Sequence, residues 1–247
     1  MRQNNITIYG YNPIKEAINS RYVNILIIFI NKNKFIKYNL LINKIKKKKI
    51  PIKIITKEKI NKIILNKNIN NCQGIIAKLN IIKNFNLNDI IINKKKKIIL
   101  ILYNITDIIN IGAIIRISVC FNVDFIIIPN NYYIYNPKLI KISSGAIFKI
   151  PICRVKNIET SIHFLKKNFI KIFSITEKGN TNINNPILFK SNKSFALILG
   201  NEEKGIPNNI LNYSDYKVYI PINKKKIKSL NVTIAGAIIL YELNKFL

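Results

Sequence analysis

Residues 195–243 read FALILGNEEKGIPNNILNYSDYKVYIPINKKKIKSLNVTIAGAIILYEL, and the fold follows from how their apolar runs stop. The first run ends abruptly at Gly200, after which a loop carries Glu202, Glu203 and Gly205. A second short run, 216–221, also ends abruptly. A lysine-rich loop then leads to Ser229-Leu230-Asn231, which opens a helix rich in small residues. The runs are predicted strands. Two strand ends and one helix start, all with polar loops, are the usual makings of a ligand site in an α/β sheet.

Upstream of this stretch the chain alternates strand and helix. Strand 98–103 leads through loop 104–110 into a helix over 111–121, followed by strand 125–128 and an aromatic loop, NNYYIYN. A helix at 137–143, strand 150–155, helix 158–167 and strand 170–175 continue the series. Alternation of this kind predicts a largely parallel sheet sandwiched by helices. The N-terminal part predicts a separate small α/β/α unit. Its strands are 6–9, 23–30, 51–55 and 74–79. Its helices are one that Asn12 caps and Pro13 opens, an amphipathic one over 35–49 with Leu40, Leu41 and Ile45 inward, and a short one over 57–65. The expected organisation is a domain at 1–79, an asparagine- and lysine-rich linker at 80–97, and a second domain at 98–247.

At 247 residues with 49% apolar side chains, both domains can bury a core, and global disorder is excluded. The formal charge of +30, with only 11 acidic residues, points to a polyanionic partner. Heavy use of Ile, Lys and Asn is also what AT-rich codon usage produces, so lysine number alone does not settle that partner. The apolar runs are too short to span a bilayer, and no long amphipathic helix with aromatic anchors favours a membrane surface. The N-terminus lacks the apolar core of a signal peptide. Cys72, Cys120 and Cys153 show no metal or disulfide spacing and read as small buried hydrophobes in the reducing cytoplasm. The single His163 reads as a solvated helix residue.

Of 41 cationic residues, four are arginines: Arg2, Arg21, Arg116 and Arg154. Arg116 stands inside the apolar run AIIRIS. A rigid, always-charged fork for phosphate or a polarised oxygen is what arginine supplies there and lysine does not. Gly112, Gly200 and Gly205 fall at expected strand exits, where positive φ or close approach calls for glycine.

The stretches 104–123 (NITDIINIGAIIRISVCFNV), 197–207 (LILGNEEKGIP) and 220–242 (IPINKKKIKSLNVTIAGAIILYE) resemble, in order and spacing, the three motifs of the SpoU branch of the SPOUT RNA methyltransferases. SSGAIFKIPICRVKN (143–157) is similar to that family's segment after its second strand. IYGYNPIKEAI and CQGIIAKL resemble the ribosomal-protein-L30e-like substrate domain of the members acting on large-subunit rRNA.

The resemblance implies an L30e-like RNA-binding domain followed by a trefoil-knotted α/β domain, S-adenosylmethionine as cofactor, and a homodimer through the knot. It implies ribose 2′-O-methylation of a guanosine in 23S rRNA, with tRNA methylation or a degenerate RNA-binding member as the alternatives. Cofactor contacts are implied at Gly200, Ile220 and Leu230. The implied catalytic set is Asn110, Arg116, Glu202, Ser229 and Asn231. On physical grounds Ser229 is expected as the helix N-cap, and Glu202 either holds the Arg116 side chain or is a solvated loop carboxylate. Departures are Ile108-Ile109 in place of Pro-His, Glu203 in place of a glycine, and a third-motif loop, 223–228, that is lysine-rich and lacks glycine.

Overall fold

The computed structural model describes residues 5–63, 72–92, 96–185, 194–223 and 225–245. The expected end of the third helix, two lysines of the 80–97 stretch and Lys224 lie outside them. The chain divides into two compact units. One comprises Met1–Asn84 with Ile134–Lys149, the other Phe85–Tyr133 with Ile150–Leu247.

The first unit is built on a four-stranded sheet of β1 (Asn5–Tyr9), β2 (Val23–Asn31), β3 (Ile52–Ile55) and β4 (Ile75–Ile81), in the order β1-β4-β2-β3. β4 is antiparallel to both of its neighbours, and β2–β3 is parallel. Around it lie α1 (Tyr11–Asn19), α2 (Asn39–Lys47) and α3 (Lys57–Ile63). α1 starts one residue before the expected cap, because Gly10, at φ 93, makes the turn out of β1. The expected helix over 35–49 is broken: short 3-10 turns at Lys32–Lys34 and Ile36–Tyr38 precede α2. The inward face of α2 is therefore Leu41, Ile42 and Ile45, while Leu40 is 86% exposed.

The unexpected member of this unit is Ile134–Lys149, which holds α6 (Pro137–Ile142). Asn136 caps α6 through its side chain and Pro137 opens it. Leu139, Ile140, Ile147 and Phe148 are buried. Ser20 Oγ donates to the Phe148 carbonyl at 2.7 Å, and Lys149 pairs with Glu16 at 3.0 Å. Gly145, at φ 81, has the Cα of Pro13 2.7 Å from where a Cβ would stand, so this packing requires glycine.

The second unit carries a seven-stranded sheet in the order β7-β6-β5-β10-β8-β11-β9, with every pairing parallel. Its strands are β5 (Ile98–Leu102), β6 (Phe125–Pro129), β7 (Ile152–Val155), β8 (Lys171–Ile175), β9 (Thr181–Asn182), β10 (Phe195–Leu199) and β11 (Tyr216–Tyr219). β5 and β10 are buried at all ten positions, as expected for central parallel strands covered on both faces.

On one face, Ile99, Ile101, Ala196 and Ile198 form a core with α4 (Asn88–Ile91), α7 (Ile158–Lys167) and α8 (Asn208–Leu211). On the other, α5 (Ile108–Cys120) and α9 (Val232–Asn244) pack together. A Cβ on Gly236 would stand 3.0 Å from Leu199 Cδ1 and 3.6 Å from Ile117 Cδ1, so this small residue lets α9 approach both β10 and α5.

Much of the stretch expected as a linker is part of these units. β4 runs to Ile81, Phe85 bridges to Cys153, and Lys97 is buried with its ammonium on the Ile90 carbonyl. Of the three cysteines only Cys153 is buried; Cys72 is half-buried and Cys120 exposed. Burial pushes the Cys153 thiol up to about 11. His163 is exposed on α7, its ring edge-on to Tyr213.

Candidate active site

β5 and β10 are adjacent in the sheet, yet their outgoing connections run to opposite sides: β5 continues to β6, β10 to β11 beyond β8. Their carboxyl ends therefore form a topological switch point, where open parallel sheets bind ligands. Three polar loops or helix starts belong to this site: the exit of β5, the exit of β10, and the N-terminus of α9.

The first two are bonded together. Asn201 Nδ2 donates to the Asn104 carbonyl at 2.7 Å, while its Oδ1 accepts from the amides of Glu203 and Lys204. Asn104 takes φ 52, a conformation that asparagine tolerates. The Glu202 carboxylate accepts from the Thr106 amide at 3.2 Å, the Asp107 amide at 3.3 Å and Asn110 Nδ2 at 3.0 Å. Asp107 caps α5 by accepting from the Ile109 amide, which sets Asn110 in the first turn. Burial by itself would raise the Glu202 pKa; the bonds from Asn110 and from the 202, 106 and 107 amides outweigh it and hold the group below its usual range. Glu202 is a carboxylate fixed in its charged form.

Asn110 passes the network on. With Nδ2 committed to Glu202, its Oδ1 accepts from Asn231 Nδ2 and Thr233 Oγ1, both at 3.2 Å. Asn231, not Ser229, is the N-cap of α9, its Oδ1 accepting from the Thr233 amide at 2.8 Å. The reason is register: α9 begins at Val232, so Ser229 lies two residues outside the cap and is exposed. Glu202, Asn110 and Asn231 thus form one hydrogen-bonded line from the β10 exit to the α9 start.

Arg116 is not on that line. It lies six positions after Asn110, which on a helix places the two side chains about 120° apart. Asn110 is buried, whereas Arg116 is exposed on the stripe of Ile109 and Cys120. The expected Glu202–Arg116 pair is accordingly not formed: Glu202 is taken by the loop amides and Asn110.

Of the glycines, Gly112 lies inside α5 and marks no junction. Gly200 is required by the chain itself, since a Cβ there would meet the Gly205 carbonyl carbon at 2.6 Å. Gly205 takes φ 65. Glu203 is absent from the residues of positive φ, so its replacement of a glycine costs no backbone strain. Ile220 and Leu230 are half-buried, and between them Asn223 and residues 225–229 are exposed. In that loop Asn223 does the work of a turn-former, its Oδ1 accepting from the Lys225 amide and its carbonyl from the Lys226 amide. Thr106, Asn104, Asn201 and Thr233 were not among the expected site residues. Their shared signal is a polar residue within four positions of a buried strand's end or at a helix start.

The SpoU rRNA Methylase family matches residues 97–241, more than half of the chain. The chain belongs to the SpoU methylase family. It is an RNA methyltransferase of that family, and residues 7–84 match the family described as RNA 2'-O ribose methyltransferase substrate binding. A relative from Blochmanniella floridana, the 23S rRNA (guanosine-2'-O-)-methyltransferase RlmB, is 31% identical over 95% of this chain and 92% of its own. An uncharacterized tRNA/rRNA methyltransferase of Borreliella burgdorferi is 34% identical over 78% of this chain and 86% of its own. The AdoMet-bound rRNA methyltransferase from Sinorhizobium meliloti has the same fold, with a TM-score of 0.79 at 20% identity, over 98% of this chain and 88% of that one.

Proposed function

We propose that this SpoU methylase uses S-adenosylmethionine to methylate the ribose 2′-hydroxyl of a guanosine in 23S rRNA, in the peptidyl-transferase region. The observation that carries the reading is the Glu202–Asn110–Asn231 line at the β5/β10 switch point. The relative from Blochmanniella floridana, similar over nearly its whole length, supports ribosomal RNA as the substrate.

The cofactor supplies an electrophilic methyl group. The chain's own residues fit its binding. Main-chain groups at Gly200, Ile220 and Leu230 are suited to an adenine edge, and the half-buried Ile220 and Leu230 side chains to its faces. The protein's remaining task is to hold the ribose hydroxyl and favour charge on its oxygen. Asn110 and Asn231, fixed by each other and by Glu202, present neutral hydrogen-bonding groups to the ribose. Ser229 adds an exposed hydroxyl beside the α9 start. Arg116, permanently charged, cannot take a proton; it stabilises the developing alkoxide or clamps a phosphate, and the proton leaves to substrate phosphate or water.

Residues 1–79 act as an L30e-like RNA-binding domain, and the 98–247 part is trefoil-knotted as in its family. Two copies associate through α5 and α9, which leave Ile109, Ile234 and Tyr241 more than half exposed. The enzyme works in the cytoplasm. The deciding experiment maps 2′-O-methyl groups on total RNA from cells with and without the protein. A lost mark in 23S rRNA supports the reading; a lost mark only in tRNA transfers the activity there, and an unchanged map rejects both.

A further inference from the structure

Between β6 and α6, Tyr132 is half-buried, and its hydroxyl donates to the Ile105 carbonyl at 2.6 Å. Tyr132 lies outside the three motif stretches, whereas Ile105, itself buried, lies within the first. What gives the bond consequence is that the Ile105 carbonyl and the Thr106 amide belong to one planar peptide unit, their C=O and N–H pointing in opposite directions. Tyr132 holds that plane by its oxygen. Glu202 receives its N–H, at 3.2 Å. The preceding peptide is held too, since Asn201 Nδ2 donates to the Asn104 carbonyl at 2.7 Å.

Without Tyr132 the 105–106 peptide is free to rotate, and rotation withdraws the Thr106 donor from the carboxylate. Glu202 is in turn the acceptor that fixes Asn110, whose free oxygen orders Asn231 and Thr233. Burial, and secondarily the Glu202 charge, push the Tyr132 pKa up, so at neutral pH the hydroxyl keeps the proton that the bond needs.

We propose that Tyr132 is a positioning residue for methyl transfer, acting through the 105–106 peptide on Glu202. The inference rests on the role of Glu202 in the proposed function. The test is a double-mutant cycle of Tyr132→Phe, Glu202→Gln and the pair, with kcat and KM measured on total ribosomal RNA and S-adenosylmethionine. Tyr132→Phe keeps the ring and loses one bond. It is expected to lower kcat about tenfold with both KM values within twofold and an unchanged Tm, and to lower kcat no further in the Glu202→Gln background.

An equal loss in both backgrounds, or wild-type kcat for Tyr132→Phe, overturns the role of Tyr132 alone. Wild-type kcat for Glu202→Gln overturns the catalytic role of Glu202 and this inference with it. A readout independent of turnover is the carbon-13 titration of the Glu202 carboxyl. Its pKa should move up towards the ordinary value in Tyr132→Phe, and an unmoved titration overturns the proposal.

Discussion

The two sides of the candidate site are built in opposite ways. At the exits of β5 and β10 the polar groups serve one another: the Asn201 side chain ties down the Asn104 carbonyl, the Thr106 and Asp107 amides bind Glu202, Glu202 orders Asn110, and Asn110 orders Asn231. On the other side, the amides of Lys225, Lys226 and Ile227 bond to Asn223 in a local turn, and these residues, Lys228 and Ser229 are exposed. The locked side has geometry set before any ligand arrives, which is where preorganisation contributes most to catalysis. The open side has charge without fixed geometry, which suits attraction of a phosphate backbone rather than orientation of a reacting atom.

Breaking the locked side should therefore cost most. Asn110→Ala removes a donor from Glu202 and the acceptor of both Asn231 and Thr233, at a position 9% exposed. The partners left behind are half-buried (Glu202, Thr233) or exposed (Asn231), so water replaces part of what they lose and each bond costs about 0.5–1.5 kcal/mol. Urea denaturation should show a loss of roughly 2–4 kcal/mol, with turnover falling about a hundredfold or more.

Arg116→Lys probes an exposed residue outside the line. Turnover should fall about a hundredfold through loss of the planar fork. Tm and the S-adenosylmethionine affinity from isothermal titration should remain those of the wild type. A fall in Tm comparable to that of Asn110→Ala would mean that Arg116 belongs to the locked side after all.

The same contrast governs what the sequence made legible. The strands β5 and β10 were plain, because a continuous apolar run bounded by glycine or asparagine has few other readings. The line itself was not, because it joins residues about 90 and 120 positions apart. Local pattern put Asn110, Glu202 and Asn231 forward only through their motifs. It paired Glu202 with Arg116 on charge, whereas the phase of α5 turns Arg116 away from Asn110. The cap of α9 was misplaced by two residues because Ser229 and Asn231 are both good caps, and the loop before them decides which one is used. The membership of Ile134–Lys149 in the first unit was likewise invisible. α6 has a clear start signal in Asn136-Pro137, yet nothing in its own sequence says which sheet its Leu139 and Ile140 cover.

A subtler break uses pH. Glu202 titrates below its usual range in the folded protein, because the bonds donated by Asn110 and by the loop amides outweigh the burial penalty. A depressed carboxylate contributes stability above its unfolded pKa and loses it as pH falls through the folded value. The stability difference between wild type and Glu202→Gln should accordingly be full at neutral pH and shrink below the ordinary carboxylate range. A difference independent of pH would show that packing, and not charge, holds the β10 exit.

The open side should give the smallest and most uniform response. Lys226 is exposed, bonded through its amide to Asn223 rather than through its ammonium. Lys226→Gln should leave Tm and kcat unchanged and weaken RNA binding several-fold, equally for cognate and unrelated RNA. The slope of log affinity against log salt should become shallower by about 0.7, the release expected for one contact to single-stranded RNA. Lysine excess from codon usage alone would leave the slope where it was. A change in kcat without a change in slope would instead mean that the loop orders a reacting group, and the division between a geometric side and an electrostatic side would fail.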